Sequence, residues 1–371
     1  MWGLRSNSSS MSRSERNPKS RKQTVHEKET VLFYRGYGYY SPAGDCWHLR
    51  VHGRVYGPNR KFLSSRAMIF ILSRYVRPER ENGQHERFLK RAQLFLHENR
   101  SGKSIPVMIG EQAFSLPDTT EHGHFETTLT MPASDLEGAT VTLPDGRRFV
   151  RFSVELPEDD GRVFAGDVEL LSPTGVSVIS DVDDTIKVTN TADRGELLRN
   201  TFAREFQAVD GMPAIYRRWA DEGCSFHYVS ASPWPLYEPL DQWLTTDGFP
   251  AGSLHLRYVG LRELSSDKQG EGSFRSKRAS IEQILRAFPG RYFILCGDAG
   301  ERDAELYGQI GQTFGNQIRH IFIRQVSGRH NPDGLDQREI EHLDPGRSDR
   351  WTIFESSEEL GSVSSVGKPP E

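Results

Sequence analysis

The stretch "GVSVISDVDDTIK", residues 175–187, decides how this chain reads. Six small or apolar residues run into three aspartates within four positions, Asp181, Asp183 and Asp184. A continuous apolar run bounded by turn residues fits a strand buried on both faces of a parallel sheet. The acids then stand where such a strand ends. Carboxylates this close repel one another, so something must compensate them.

Working outward, the text after Pro173 keeps one rhythm. The apolar runs "VSVIS", "SFHYVS", "LHLRYV", "RYFILCGD" and "IRHIFIR" alternate with the helical segments "GMPAIYRRWADEG", "PLYEPLDQWLTTDG", "SKRASIEQILRAFPG" and "AELYGQIGQTFG". Such alternation predicts an α/β domain with a mostly parallel sheet over 173–328. Residues 31–172 read differently. Short, partly alternating runs such as "CWHLRVHGRVYG" and "RFVRFSVELP", broken by Gly, Pro and Asp, predict a β-rich, sandwich-like N-terminal domain. Within it "RKFLSSRAMIFILSRYVRPER" has helical spacing. Residues 1–30 read as a disordered basic tail, and 329–371 as a C-terminal tail with one ordered segment at "RWTIFES".

The chain has 371 residues and a net charge of −4, but the first hundred carry about +12 and the rest about −16. Between Arg54 and Arg91, ten Lys or Arg face three Glu, with Phe62, Phe70, Tyr75 and Phe88 interleaved. Ordinary core packing of "AMIFILSRYV" on the β-rich part is the first reading. An amphipathic segment that meets an anionic membrane surface is the second. Nothing resembles a nucleic-acid module, so no nucleic acid is expected. The longest apolar run, "AMIFIL", is far shorter than the roughly 20 residues of a membrane span. Cys46, Cys224 and Cys296 form no CxxC pair, and a cytoplasmic location, peripheral at membranes, is expected.

Polar groups of an open α/β sheet collect at the carboxyl ends of its strands. Asp181 follows one run, Ser230 closes a second, Asp298 closes a third, and Asp303 comes five residues later. Four carboxylates at one edge without clustered His or Cys favour a divalent cation bound by oxygen, Mg²⁺ rather than Zn²⁺.

The spacing Asp181-x-Asp183-x-Thr185, with Ser230, Lys277 in "SFRSKRASIEQIL" and Asp298 and Asp303 in "GDAGERD", resembles the four motifs of the haloacid dehalogenase superfamily. "SDVDDTIKVT", "YVSASPWPLY" and "CGDAGERDAELY" look more narrowly like the catalytic domain of the actin-patch phosphatidate phosphatase family. The resemblance implies a Rossmann-like domain. Asp181 would be the nucleophile that forms an aspartyl phosphate, and Asp183 the general acid and base. Ser230 and Lys277 would bind the transferring phosphoryl group. Asp181, the Asp183 carbonyl and Asp298 would hold Mg²⁺, with Asp303 ordering that shell. Thr185 and Asp184 would hold the loop.

The gaps Lys187–Gly211 and Val259–Lys277 are too short for a full cap, which predicts a minimal cap and an open site. The resemblance implies phosphatidate as the substrate, giving diacylglycerol and phosphate. A soluble phosphomonoester, or a non-catalytic membrane or protein interaction module, are the alternatives.

Overall fold

The computed structural model describes residues 25–59, 62–79, 82–259, 270–326 and 335–363. Its strands join into two sheets. The first contains β1 Thr30–Phe33, β2 Gly36–Ser41, β3 Cys46–Gly57, β4 Glu98–Asn99, β5 Pro106–Ile109, β6 Gln112–Ser115, β7 His124–Pro132, β8 Thr140–Thr142, β9 Arg148–Val154 and β10 Ala165–Leu171. Their order is β1-β3-β2-β10-β9-β5-β6, with β4 and β7 also paired to β3 and β8 to β9. The expected sandwich thus appears as one mixed sheet. The twelve-residue β3 takes β2 along its first half and β1 along its second, while β7 pairs with most of its length. A core of its own forms where Phe33 meets Phe125 and Phe152 edge-on, at 5.5 and 4.8 Å.

Three helices interrupt this part: α1 Phe62–Val76, α2 Gln84–Leu94 and the short α3 Ala133–Leu136. The helical spacing of the segment around "AMIFIL" is realised, but its reading as core packed on the β-rich part is corrected: one face alone packs, in a small cluster with Phe88, Ala92 and Phe202 of helices rather than with the strands. Ile69, Leu72 and Val76 pack inward, while Phe70, Ile71 and Tyr75 are exposed. The neighbouring helix α2 had no reading of its own. It is strongly polar, and its amphipathic stripe is short, with Phe88 and Ala92 turned into the same small core.

The second part runs β11 Gly175–Ser180, α4 Arg194–Phe202, α5 Met212–Asp221, β12 Ser225–Pro233, α6 Tyr237–Thr246, β13 Gly252–Arg257, α7 Glu271–Ala287, β14 Arg291–Asp298, α8 Asp303–Phe314, β15 Ile318–Arg324, α9 Gln337–Leu343 and β16 Trp351–Phe354. All six strands are parallel, in the order β13-β12-β11-β14-β15-β16. The apolar run of β11 is explained by its two covers. Val178 feeds the core under α5 and α6, and Ile179 the core under α7 and α8. The chain order reverses beside β11, so a crevice lies at the carboxyl ends of β11 and β14.

The expectation of a C-terminal tail is corrected. Residues 335–363 complete the sheet: β16 pairs with β15, and Ile340, Trp351, Phe354, Leu360 and Val363 are buried. A capping box at Asp336 and Glu339 starts α9. Of the expected N-terminal tail, residues 1–24 lie outside the described residues. The remainder is anchored, since Glu29 is buried and paired with Lys103 at 2.9 Å. Among the described residues no helix is long and apolar enough to cross a membrane.

The two sheets share buried surface close to the crevice. Tyr34 stacks on Trp234 at 4.1 Å between ring centres, and the Arg35 amide donates to the Tyr237 hydroxyl at 2.9 Å. Trp234 and Tyr237 therefore pack, and their partners Tyr34 and Arg35 come from the edge of the first sheet.

Candidate active site

β11 ends at Ser180, and the next residue, Asp181, is held at the strand end by its amide, which donates to the Cys296 carbonyl on β14 at 2.8 Å. Its carboxylate is buried. One oxygen accepts from the Thr185 hydroxyl at 3.0 Å, and the other lies 2.7 Å from the Lys277 ammonium with no hydrogen bond aligned to it. β14 delivers Asp298 at its last residue. Asp303, at the first turn of α8, lies beside it and accepts from Lys277 at 2.8 Å. Oxygens of Asp181, Asp298 and Asp303 all fall within 4.8 Å of one another. Three buried carboxylates with no His or Cys among them suit a hard divalent cation.

Asp183 points elsewhere. One of its oxygens pairs with Lys187 at 2.7 Å and accepts from Thr189 at 2.7 Å. The other accepts from Ser230 at 2.9 Å and Ser232 at 3.0 Å. Asp184 has left-handed backbone, φ 60°, which Asp tolerates better than most residues. Its side chain accepts from the amides of Thr189, Asn190 and Thr191 at 3.0, 2.7 and 2.7 Å. Each aspartate of the crowded stretch thus has its own compensation within the protein: a lysine for Asp181, a lysine and three hydroxyls for Asp183, a ring of amides for Asp184.

The charges are strongly coupled. Burial drives the Asp181 carboxyl well above the ordinary carboxylate range, against the pull of Lys277. Burial alone would lower the Lys277 ammonium, but Asp181, Asp303 and Glu301 outweigh it and hold it well above its usual value. Burial would raise Asp183 too, yet Lys187 and the hydroxyls of Thr189 and Ser230 hold it well below.

The structure therefore brings Asp181, Asp183, Ser230, Lys277, Asp298 and Asp303 to one edge. Lys277 sits in the second turn of α7 and is buried, whereas Arg275 and Arg278 bond to Glu271 and Glu282 of their own helix. Asp303 is not the cap of α8, since Arg302 holds that position. The expected open site is corrected in one respect: Asp181, Asp183, Lys277, Asp298 and Asp303 are each no more than 5% exposed. The first gap folds into α4, capped by Asp193 and packed on α1 and α2. Residues 260–269 of the second gap lie outside the described residues.

Lys187, Thr189, Ser232 and Glu301 join the site without having been singled out for it. Glu301 accepts from Lys277 at 2.7 Å. The cap signal "DRGE" at Asp193–Glu196 could have found α4. No periodicity marks Lys187.

Gly297 makes the close packing of β14 and α8 possible. A Cβ there would come within 2.7 Å of Asp303 and of the Tyr307 ring. Gly297→Ala is expected to displace Asp303, cost about 1–3 kcal/mol of stability and slow any reaction at this site about 100-fold. Thermal unfolding and turnover of the same preparation check it, and wild-type values for both would show that the packing has slack.

Residues 176–325 match the family profile described as "Phosphatidate phosphatase APP1, catalytic domain". The chain is 39% identical over 161 residues to phosphatidate phosphatase APP1 of Saccharomyces cerevisiae, covering 42% of this chain and 27% of that protein. It is 29% identical over 170 residues to an uncharacterised protein of Schizosaccharomyces pombe, covering 44% of this chain and 27% of the other. The matches thus span about a quarter of each relative's length. Among solved structures, a β-glucuronidase from Parabacteroides merdae covers 81% of this chain and 34% of its own at 10% identity, with a TM-score of 0.26, from which nothing about the fold follows. The segment from residue 176 to 325, which holds every residue of the buried cluster, is thus similar to the catalytic domain of phosphatidate phosphatase APP1.

Proposed function

We propose that this chain is a Mg²⁺-dependent phosphatidate phosphatase of the haloacid dehalogenase type, which hydrolyses phosphatidate to diacylglycerol and phosphate through an aspartyl phosphate on Asp181. The observation that carries the reading is the buried Asp181 carboxylate, set among Asp298, Asp303 and Lys277 at the strand-order reversal, inside the segment that matches the family. The unit from 173 onward is read as the catalytic domain and the first sheet as its β-rich companion. Action at the cytoplasmic face of a membrane belongs to the same proposal, and the three free cysteines agree with a reducing compartment.

In this mechanism an oxygen of Asp181 attacks phosphorus in line with the leaving alkoxide, which divides the displacement into two easier steps. When bound by Asp181, Asp298 and Asp303, with the Asp183 carbonyl as a further ligand, Mg²⁺ supplies positive charge against the phosphoryl oxygens. Lys277, held among three carboxylates in the free protein, turns its ammonium to the equatorial oxygens. Asp183 gives a proton to the leaving oxygen and takes one back from the attacking water, a role that requires it to enter the cycle protonated, although Lys187, Thr189 and Ser230 favour its charged form in the free protein. Ser230 and Ser232 hold Asp183 in place in the free protein, and on substrate binding one of these hydroxyls would turn to donate to the phosphoryl group.

Phosphate release from vesicles that contain phosphatidate, measured with and without Mg²⁺ beside a panel of soluble phosphomonoesters, tests the proposal. Mg²⁺-dependent release from the lipid is the expected result. Turnover confined to the soluble panel would leave the chemistry standing and remove the substrate.

A further inference from the structure

We propose that α1 is an interfacial anchor whose outer face lies in the surface of an anionic bilayer. The helix divides cleanly at 100° per residue. Met68, Ile69, Leu72, Ser73 and Val76 fall on one half and are half-buried or buried, several of them against α2 and α4. Arg66, Ala67, Phe70, Ile71, Arg74 and Tyr75 fall on the other half, and every one is exposed, as is Arg77 just past the helix end. Phe70, Ile71 and Tyr75 are 62, 57 and 66% exposed, which is unusual for side chains of this size. They sit within six positions of one another, and Ile71, Arg74, Tyr75 and Arg77 line a shallow groove of about 570 Å³.

Charge complementarity chooses the occupant. No acid occurs from Phe62 to Pro78, and at 100° per residue Arg66 falls beside Phe70 and Arg74 between Phe70 and Ile71, so the charges interleaved with the apolar side chains of this face are all cations. Exposed apolar side chains interleaved with arginines match the boundary between acyl chains and anionic headgroups. The inner face keeps the helix from turning away. Val76 shares a core with Phe88, Ala92 and Phe202, and Arg91 ties α2 to α4 through the Thr201 and Arg204 carbonyls, both at 2.8 Å. α4 follows the loop that bears Asp183, Lys187 and Thr189, so the anchor is fastened to the rim of the crevice. The inference extends the phosphatidate reading, because a lipid substrate keeps its acyl chains in the bilayer while its phosphate enters the site.

The test uses the full chain and vesicles free of phosphatidate, so that binding in the catalytic crevice does not contribute. Wild type is expected to co-sediment with vesicles of equimolar phosphatidylcholine and phosphatidylserine, less so at high salt, and not with phosphatidylcholine alone. A triple variant, Phe70→Ser with Ile71→Ser and Tyr75→Ser, and a double variant, Arg74→Glu with Arg77→Glu, are each expected to bind at least about tenfold more weakly. Both should melt as wild type does and turn over a short-chain, water-soluble phosphatidate at the wild-type rate, while turnover of vesicle phosphatidate falls. Equal vesicle binding by wild type and both variants overturns the proposal. So does a wild-type dimer that the triple variant converts to monomer with vesicle binding unchanged, since a second copy would then cover the face. Loss of phosphatidate turnover in wild type, with phosphatidylserine binding intact, would sink the substrate reading and leave the anchor standing.

Discussion

Asp181→Asn is expected to abolish phosphate release, by about 10⁴-fold or more, while the protein folds at least as stably as wild type in metal-free buffer. The activity loss follows from chemistry, since a neutral amide is too weak a nucleophile to form the acyl phosphate on which the proposed route depends. The stability result follows from the site. Asp181 is buried, and burial pushes its carboxyl well above the usual range, so its charge opposes folding at neutral pH. The amide keeps the size and the Thr185 contact and removes that charge. Lys277 still has Glu301 and Asp303 as partners. Thermal unfolding and phosphate release from one preparation separate the two effects. A variant that keeps turnover would discard Asp181 as nucleophile, and one that melts far below wild type would show that its charge supports the fold.

Lys277→Met is expected to fail in the opposite way, losing stability as well as activity. The ammonium is 2.7 Å from Asp181, 2.7 Å from Glu301 and 2.8 Å from Asp303. Its removal leaves three carboxylates crowded at low dielectric, and breaking a buried pair in this manner costs about 3–5 kcal/mol. The length of Met preserves the packing of the stem, so the lost charge is what the measurement reads. Turnover should fall about 10²–10³-fold, the scale for removing one group that stabilises transition-state charge. Added Mg²⁺ should recover part of the lost melting temperature if the carboxylates form a cation site, because the ion then supplies the missing charge. A melting temperature equal to that of wild type in metal-free buffer would mean that the carboxyls hold their protons and need no cation.

The order of these effects shows how much of the site was legible beforehand. Asp181, Ser230, Asp298 and Asp303 could be placed from the strand runs that precede them, because a buried parallel strand leaves an unbroken apolar signature and its end is then fixed in space. Lys277 depended on the family resemblance. Lys187, Thr189 and Glu301 carry no such mark. They lie in loops, where no period constrains which way a side chain points, and only the path of the backbone after Asp184 turns Lys187 and Thr189 back on Asp183. The same holds for Asp184, whose three amide partners exist because its own φ is positive.

Local sequence determined the alternation of strands and helices from β11 to β15, since those elements are long and strongly patterned, and the placement of acids at strand ends follows from it. Tertiary structure alone decided four things. The short strand β16 and helix α9 belong to the sheet because docking buries Ile340, Trp351 and Phe354, a gain that short segments do not display in isolation. The ten strands before β11 form one sheet because β3 is long enough to pair with several partners, and pairing is a non-local choice. The site is buried where residues from three strands and two helices converge. Finally, both faces of α1 are apolar in sequence, and only the packing of Ile69, Leu72 and Val76 against α2 and α4 determines which face is left to meet solvent or a membrane.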